Sequence, residues 1–151
     1  MENFVTIAEV IKFAVEREDT AFKLYSRAAE LSTSIAARKM FNELADEEAT
    51  HKDVFSKIDA DKAEHHKLCT IPEVSIAKYL ADVPFSNEMS YQEIITYALK
   101  TEENAYQLYK TAAGMTDDEH LQKVLMTFAD VELGHRRRLE ALYEERVLTE
   151  G

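Results

Sequence analysis

The chain is two copies of one segment. Sliding its 151 residues by 84 positions places Ala14, Glu18, Ala21, Leu24, Tyr25, Ala28 and Ala29 on Ala98, Glu102, Ala105, Leu108, Tyr109, Ala112 and Ala113. The same shift, without a gap, places Ala45, Asp46, Glu48 and His51 on Ala129, Asp130, Glu132 and His135. Alanine and leucine recur in any helical protein; a shared Glu, a shared Tyr and a shared Glu-x-x-His in one register do not. A repeat of this kind constrains the fold first, because each copy is one supersecondary unit that must bury its apolar face against the other.

Each copy reads as a helical hairpin. Thr6-x-x-Glu9 and Ser90-x-x-Glu93 are capping boxes at equivalent positions, with staples Val5–Val10 and Met89–Ile94. Thr116-x-x-Glu119 follows Gly114, read as a helix-ending residue. These signals predict helices over about 7–30, 33–60, 91–113 and 117–146. Glycine and proline total 3 + 2 = 5, too few for a turn-dense β fold. Both prolines, Pro72 and Pro84, and the single cysteine, Cys69, lie in 61–90. Bundle helices are usually joined by about 2–8 residues, so this segment has another task. A helix of roughly 25 residues is about 38 Å long, and 61–90 is long enough to recross that length, with a short helix expected near Val74–Leu80. The predicted architecture is all-α: one domain over 1–151, a four-helix bundle with hairpin copies at about 4–60 and 91–146. A single crossover over 61–90 sets helices 2 and 3 parallel.

The polar residues shared by the copies fall where apolar ones belong. Steps of four and three trace a seam on helix 1 through Ile11, Ala14, Glu18, Ala21 and Tyr25, repeated on helix 3 through Ile95, Ala98, Glu102, Ala105 and Tyr109. Helix 2 carries Phe41, Leu44, Glu48, His51 and Phe55; helix 4 carries Leu125, Phe128, Glu132, His135 and Leu139. Such a stripe faces a bundle core. The midpoint of 18 and 48 is 33 and that of 102 and 132 is 117, so each pair is equidistant from its turn and all six polar side chains are expected at one depth. A single buried Glu or His is ordinarily a hydrogen-bonded core residue. Four carboxylates together need cations, and no Lys or Arg stands on the seams at that depth. Two divalent cations would balance them, 4 − 4 = 0 with neutral imidazoles. Glu-x-x-His sets two ligands on one helix face, and oxygen and imidazole donors suit iron or manganese.

Glu18, Glu48-x-x-His51, Glu102 and Glu132-x-x-His135, split by a long crossover, resemble the ferritin-like superfamily. Within it the chain resembles the di-iron domain of rubrerythrins, and its six ligands are similar to those of bacterioferritin. The resemblance implies two iron ions (manganese being the other candidate), with Glu48 and Glu132 bridging, Glu18 and His51 completing one position, and Glu102 and His135 the other. It makes Tyr25 and Tyr109 similar to tyrosines of the family that hydrogen-bond ligand carboxylates. It implies an oxidoreductase of the oxidative-stress type, reducing hydrogen peroxide or dioxygen with ferrous iron. Ferroxidase activity with iron storage, an oxygenase and a non-catalytic metal-binding bundle are the alternatives. Ala105 stands where many rubrerythrins carry a further carboxylate, and Ala49 where the haem-ligating methionine of bacterioferritin would follow.

One cysteine excludes an internal disulfide framework or a Cys₄ iron or zinc site. The resemblance to rubrerythrins then implies that an electron donor such as a rubredoxin-like protein acts in trans. Lys plus Arg minus Asp plus Glu is 18 − 29 = −11, which disfavours a nucleic-acid surface. No apolar run reaches membrane-spanning length, and Met1-Glu2-Asn3 does not open a signal peptide; a cytoplasmic homodimer is expected. Glu47 and Glu103, whose counterparts are Val131 and Asp19, read as solvated flanks. Asp46, Asp130, His120 and Arg136–Arg138 read as outer-face residues, although the two aspartates are also placed to orient a histidine. His65, His66 and Cys69 offer metal-binding atoms, but a lone cluster of this sort reads as exposed polar sequence.

Overall fold

The computed structural model describes residues 4–61, 70–72, 79, 86 and 88–150. Its elements are β1 (Phe4–Thr6), α1 (Ile7–Leu31), α2 (Ile35–Asp61), β2 (Thr70–Pro72), α3 (Tyr91–Met115) and α4 (Glu119–Glu150). The expected helix near Val74–Leu80 falls almost wholly outside the described residues, as do His65, His66 and Cys69.

Local chemistry sets the helix ends. The Thr6 hydroxyl accepts from the Glu9 N–H at 3.0 Å to start α1. Ser90 and Glu93 form the complete reciprocal capping box of α3. Ser34 accepts from the Ala37 N–H at 3.2 Å to open α2. Two expectations need correction. Helix α4 is capped by Asp118, whose carboxylate accepts from the Leu121 N–H at 3.1 Å, and Thr116 instead closes α3 through its own N–H to the Ala112 carbonyl. Gly114 lies inside the last turn of α3 and has no positive φ, because the αL ending it would supply is replaced by the extended backbone of Thr116.

The bundle has the one-crossover topology. Tyr25 bonds Glu102 and Tyr109 bonds Glu18; each pair sums to 127, so α1 and α3 run antiparallel. The Phe41 ring, at the start of α2, meets the Tyr91 ring, at the start of α3, edge-on at 5.9 Å. Helices α2 and α3 therefore begin at the same end and run parallel. The sequence pattern predicts no strand, yet β1 and β2 pair antiparallel with Val5 opposite Ile71. This pairing sets β2 at the end where α1 begins, whereas α3 begins at the opposite end.

Two apolar clusters fill the interior. One packs Ile7, Ile11, Phe55, Leu108 and Leu121, the other Leu24, Phe41, Leu44, Ile95 and Leu139. Between them lies a slab of buried polar side chains. No described helix is long and apolar enough to cross a membrane.

Candidate metal centre

The slab contains all six seam residues. Glu18, Glu48, Glu102 and Glu132 have no exposure, and His51 and His135 almost none. Each helix contributes because its four-three stripe turns one carboxylate, and on α2 and α4 also the imidazole one turn on, toward the axis. Two donor groups result, Glu18–Glu48–His51–Glu132 and Glu48–Glu102–Glu132–His135, each with its ligand atoms within 4.8 Å of one another. Glu48 and Glu132 belong to both. The imidazoles lie on one side with rings 8° from parallel and centroids 6.2 Å apart. Nδ1 of His51 lies 3.2 Å from Glu132, and Nδ1 of His135 lies 2.8 Å from Glu48, so each histidine leans on the shared glutamate of the other hairpin.

The tyrosines also cross between the copies. The Tyr25 hydroxyl donates to Glu102 at 2.5 Å and the Tyr109 hydroxyl donates to Glu18 at 2.6 Å. Burial, and then the charges of Glu102 and Glu18 respectively, push both phenols above their ordinary range, so both remain donors.

Two contributors escape the seam pattern. Arg17, one residue before Glu18, is buried, and its guanidinium reaches the cluster: Nη1 lies 3.2 Å from Glu18, 3.1 Å from Glu48 and 3.3 Å from Glu132, while Nη2 lies 3.3 Å from Glu102. The seams themselves carry no Lys or Arg at this depth, as expected, but the cluster is not without a cation. A long side chain bridges from off the seam, and its counterpart in the second copy is Thr101, so the repeat carried no signal of it. Glu47 is the second. Its carboxylate bonds Nε2 of His135 while staying exposed, in keeping with its reading as a solvated flank; its counterpart Val131 offers His51 nothing of the kind, and His51 instead stacks on Phe128 at 4.4 Å. Glu103 pairs with Arg136, and Arg138 with Glu43 at 2.7 Å. Asp46, Asp130 and His120 are exposed.

The electrostatics leave negative charge in excess. Four carboxylates face one guanidinium, 4 − 1 = 3. Burial, with the charges of Glu102 and Glu18, pushes the Glu132 carboxyl well above its usual range despite Arg17. Burial acts against Glu102 too, yet Arg17, Glu132 and His135 hold it below the ordinary carboxylate range. Burial opposes a charge on Arg17, and Glu132, Glu102 and Glu18 outweigh it. His135 is likewise disfavoured as a cation by burial but is raised by Glu102 and Glu47. Buried Oε2 atoms of Glu18, Glu102 and Glu132 make no hydrogen bond. Unsatisfied carboxylate oxygens in an interior are costly, and here they converge with imidazole nitrogens. The donor set fits two oxygen- and nitrogen-preferring divalent cations.

The sequence model of the rubrerythrin family matches residues 93–151. No curated protein matches the chain. Among solved structures, a Thermotoga maritima protein provisionally described as a ferritin-like diiron-carboxylate protein superposes with a TM-score of 0.79 at 19% identity, covering 97% of this chain and 99% of its own. A hypothetical protein from Pyrococcus furiosus superposes with a TM-score of 0.71 at 24% identity, covering 92% of this chain and 89% of its own. At these identities the two structures share the fold.

Proposed function

From the match of residues 93–151 to the rubrerythrin model and the shared ferritin-like fold, we propose that the chain is a rubrerythrin-type di-iron oxidoreductase reducing hydrogen peroxide or dioxygen. The observation that carries the reading is the pair of buried donor groups with Glu48 and Glu132 in common. Glu18 and His51 would hold one iron, Glu102 and His135 the other, and Glu48 and Glu132 would serve both. Two ferrous ions, when bound, would supply two electrons and Lewis acidity, which with two protons balances the reduction of one hydrogen peroxide to two waters.

The chain supplies the setting. Tyr25 and Tyr109 each hold one oxygen of the two unshared glutamates, leaving the other oxygen buried with no hydrogen bond. Glu47 takes the outer nitrogen of His135, orienting the ring and raising its basicity. Apolar layers above and below limit water to the slab. A rubredoxin-like protein acting in trans would return the electrons.

The test is rapid mixing of ferrous-loaded protein with one equivalent of peroxide, without oxygen. Conversion to the ferric state much faster than for free ferrous iron in the same buffer is expected. A rate equal to that of free iron would remove the proposal.

A further inference from the structure

Arg17 is a buried cation at the place where metal would bind. Its Nη1 carries two hydrogens, yet oxygens of Glu18, Glu48 and Glu132 surround it at 3.1–3.3 Å, and only the contact to Glu48 is a well-formed hydrogen bond. Nη2 adds Glu102 at 3.3 Å, while Nε is buried with no partner. The group sits as a charge in an oxygen cage, not as one arm of a directional pair. We infer that Arg17 is the chain's own counter-cation, holding the ligand cage assembled before metal arrives and withdrawing from it when metal enters.

Charge and space point the same way. Four carboxylates and two divalent cations sum to zero; with Arg17 retained the centre would carry +1 in a buried slab, where unbalanced charge is costly. Metal–carboxylate bonds of about 2 Å also need the space that Nη1 fills. An exit exists. Behind Arg17 a cavity of about 60 Å³ opens between α1 and α3, lined by Phe13, Glu16 and Thr20 on one side and Tyr97, Thr101 and Asn104 on the other. Residues 13 and 97, 17 and 101, and 20 and 104 are repeat partners, so the groove lies along the symmetry axis of the two copies. Nη2 already donates to the Thr101 carbonyl at 3.4 Å, and Glu16 and Asn104 offer further acceptors along the way out.

This inference rests on the two-metal reading, and its test separates the two by measuring binding, not turnover. Metal-free wild type and R17Q are titrated with Zn²⁺ by calorimetry and melted with and without it. If Arg17 fills the cage in about nine of ten metal-free molecules, it lowers apparent affinity about tenfold. R17Q should therefore bind two equivalents at least tenfold more tightly. Its metal-free form should melt about 6 °C or more below wild type, with the gap closed by zinc. Unchanged or weaker binding by R17Q overturns the inference alone; a wild type that takes up no zinc overturns the metal reading with it. Should R17Q not fold, the Arg17 Nε–H resonance of the wild-type chain decides. Slow solvent exchange without metal and fast exchange with two equivalents of zinc is expected, and protection that persists with zinc refutes withdrawal.

Discussion

Replacing Tyr109 by Phe removes one oxygen and leaves the ring in place, so its effect can be worked from the structure. The hydroxyl donates at 2.6 Å to Oε1 of Glu18, with both groups fully buried. Arg17 also lies 3.2 Å from Oε1, while Oε2 has no hydrogen bond and lies 3.7 Å from Nδ1 of His51. Hydrogen bonds to charged groups contribute about 1.5–3 kcal/mol, and this one is fully buried. We expect a loss of about 2 kcal/mol in the metal-free chain, read as a fall of about 4–8 °C in Tm for a domain of this size. A second readout ties the tyrosine to the centre. Glu18 belongs to only one donor group, so anaerobic titration with Co²⁺ should show one position weakened about 10–100-fold and the other, supported by Tyr25 on Glu102, little changed. A loss below about 0.5 kcal/mol, or equal weakening of both positions, would refute the reasoning.

Glu48→Gln should abolish the stability gained from metal at both positions while leaving the metal-free melt unchanged or raised, because carboxylates outnumber the one guanidinium; His51→Ala should remove only one binding step. Glu47→Gln should weaken the His135 position in a Co²⁺ titration with little effect at the His51 position; symmetrical weakening would mean that Glu47 acts on the fold and not on the imidazole. Tyr25 and Tyr109 have raised folded-state pKa values, so the folded chain keeps protons that the unfolded chain loses. Their contribution is complete below about pH 10 and falls as pH rises above it; melts from pH 8 to 11 should show a flatter alkaline limb in a Tyr25→Phe, Tyr109→Phe double variant.

Periodicity carried the fold and the six-residue site a long way. The four-three stripe places Glu18, Glu48, His51, Glu102, Glu132 and His135 on core-facing positions whatever the neighbouring helices do, and the equal distances from the turns put them at one level. The caps at Thr6 and Ser90 were equally legible, because a cap is a contact within four residues. The direction of each tyrosine was not. Tyr25 and Tyr109 stand on the same seams as the glutamates, but the discovery that each serves the other copy's glutamate needs the antiparallel packing of α1 on α3. Arg17 and Glu47 were hidden for a related reason. A long side chain beginning off the seam reaches the interior or a neighbouring helix only when the packing angle and spacing allow it, and neither quantity is written in a helical period. The strand pair β1–β2 likewise joins residues more than sixty positions apart. What the sequence determined by itself was local: which residues are helical, which stripe is buried, and that the stripe is interrupted by acid and imidazole at one height. What only the tertiary structure decided was which groups from different helices meet, because those contacts depend on how the helices are placed against each other and not on the pitch of any one of them.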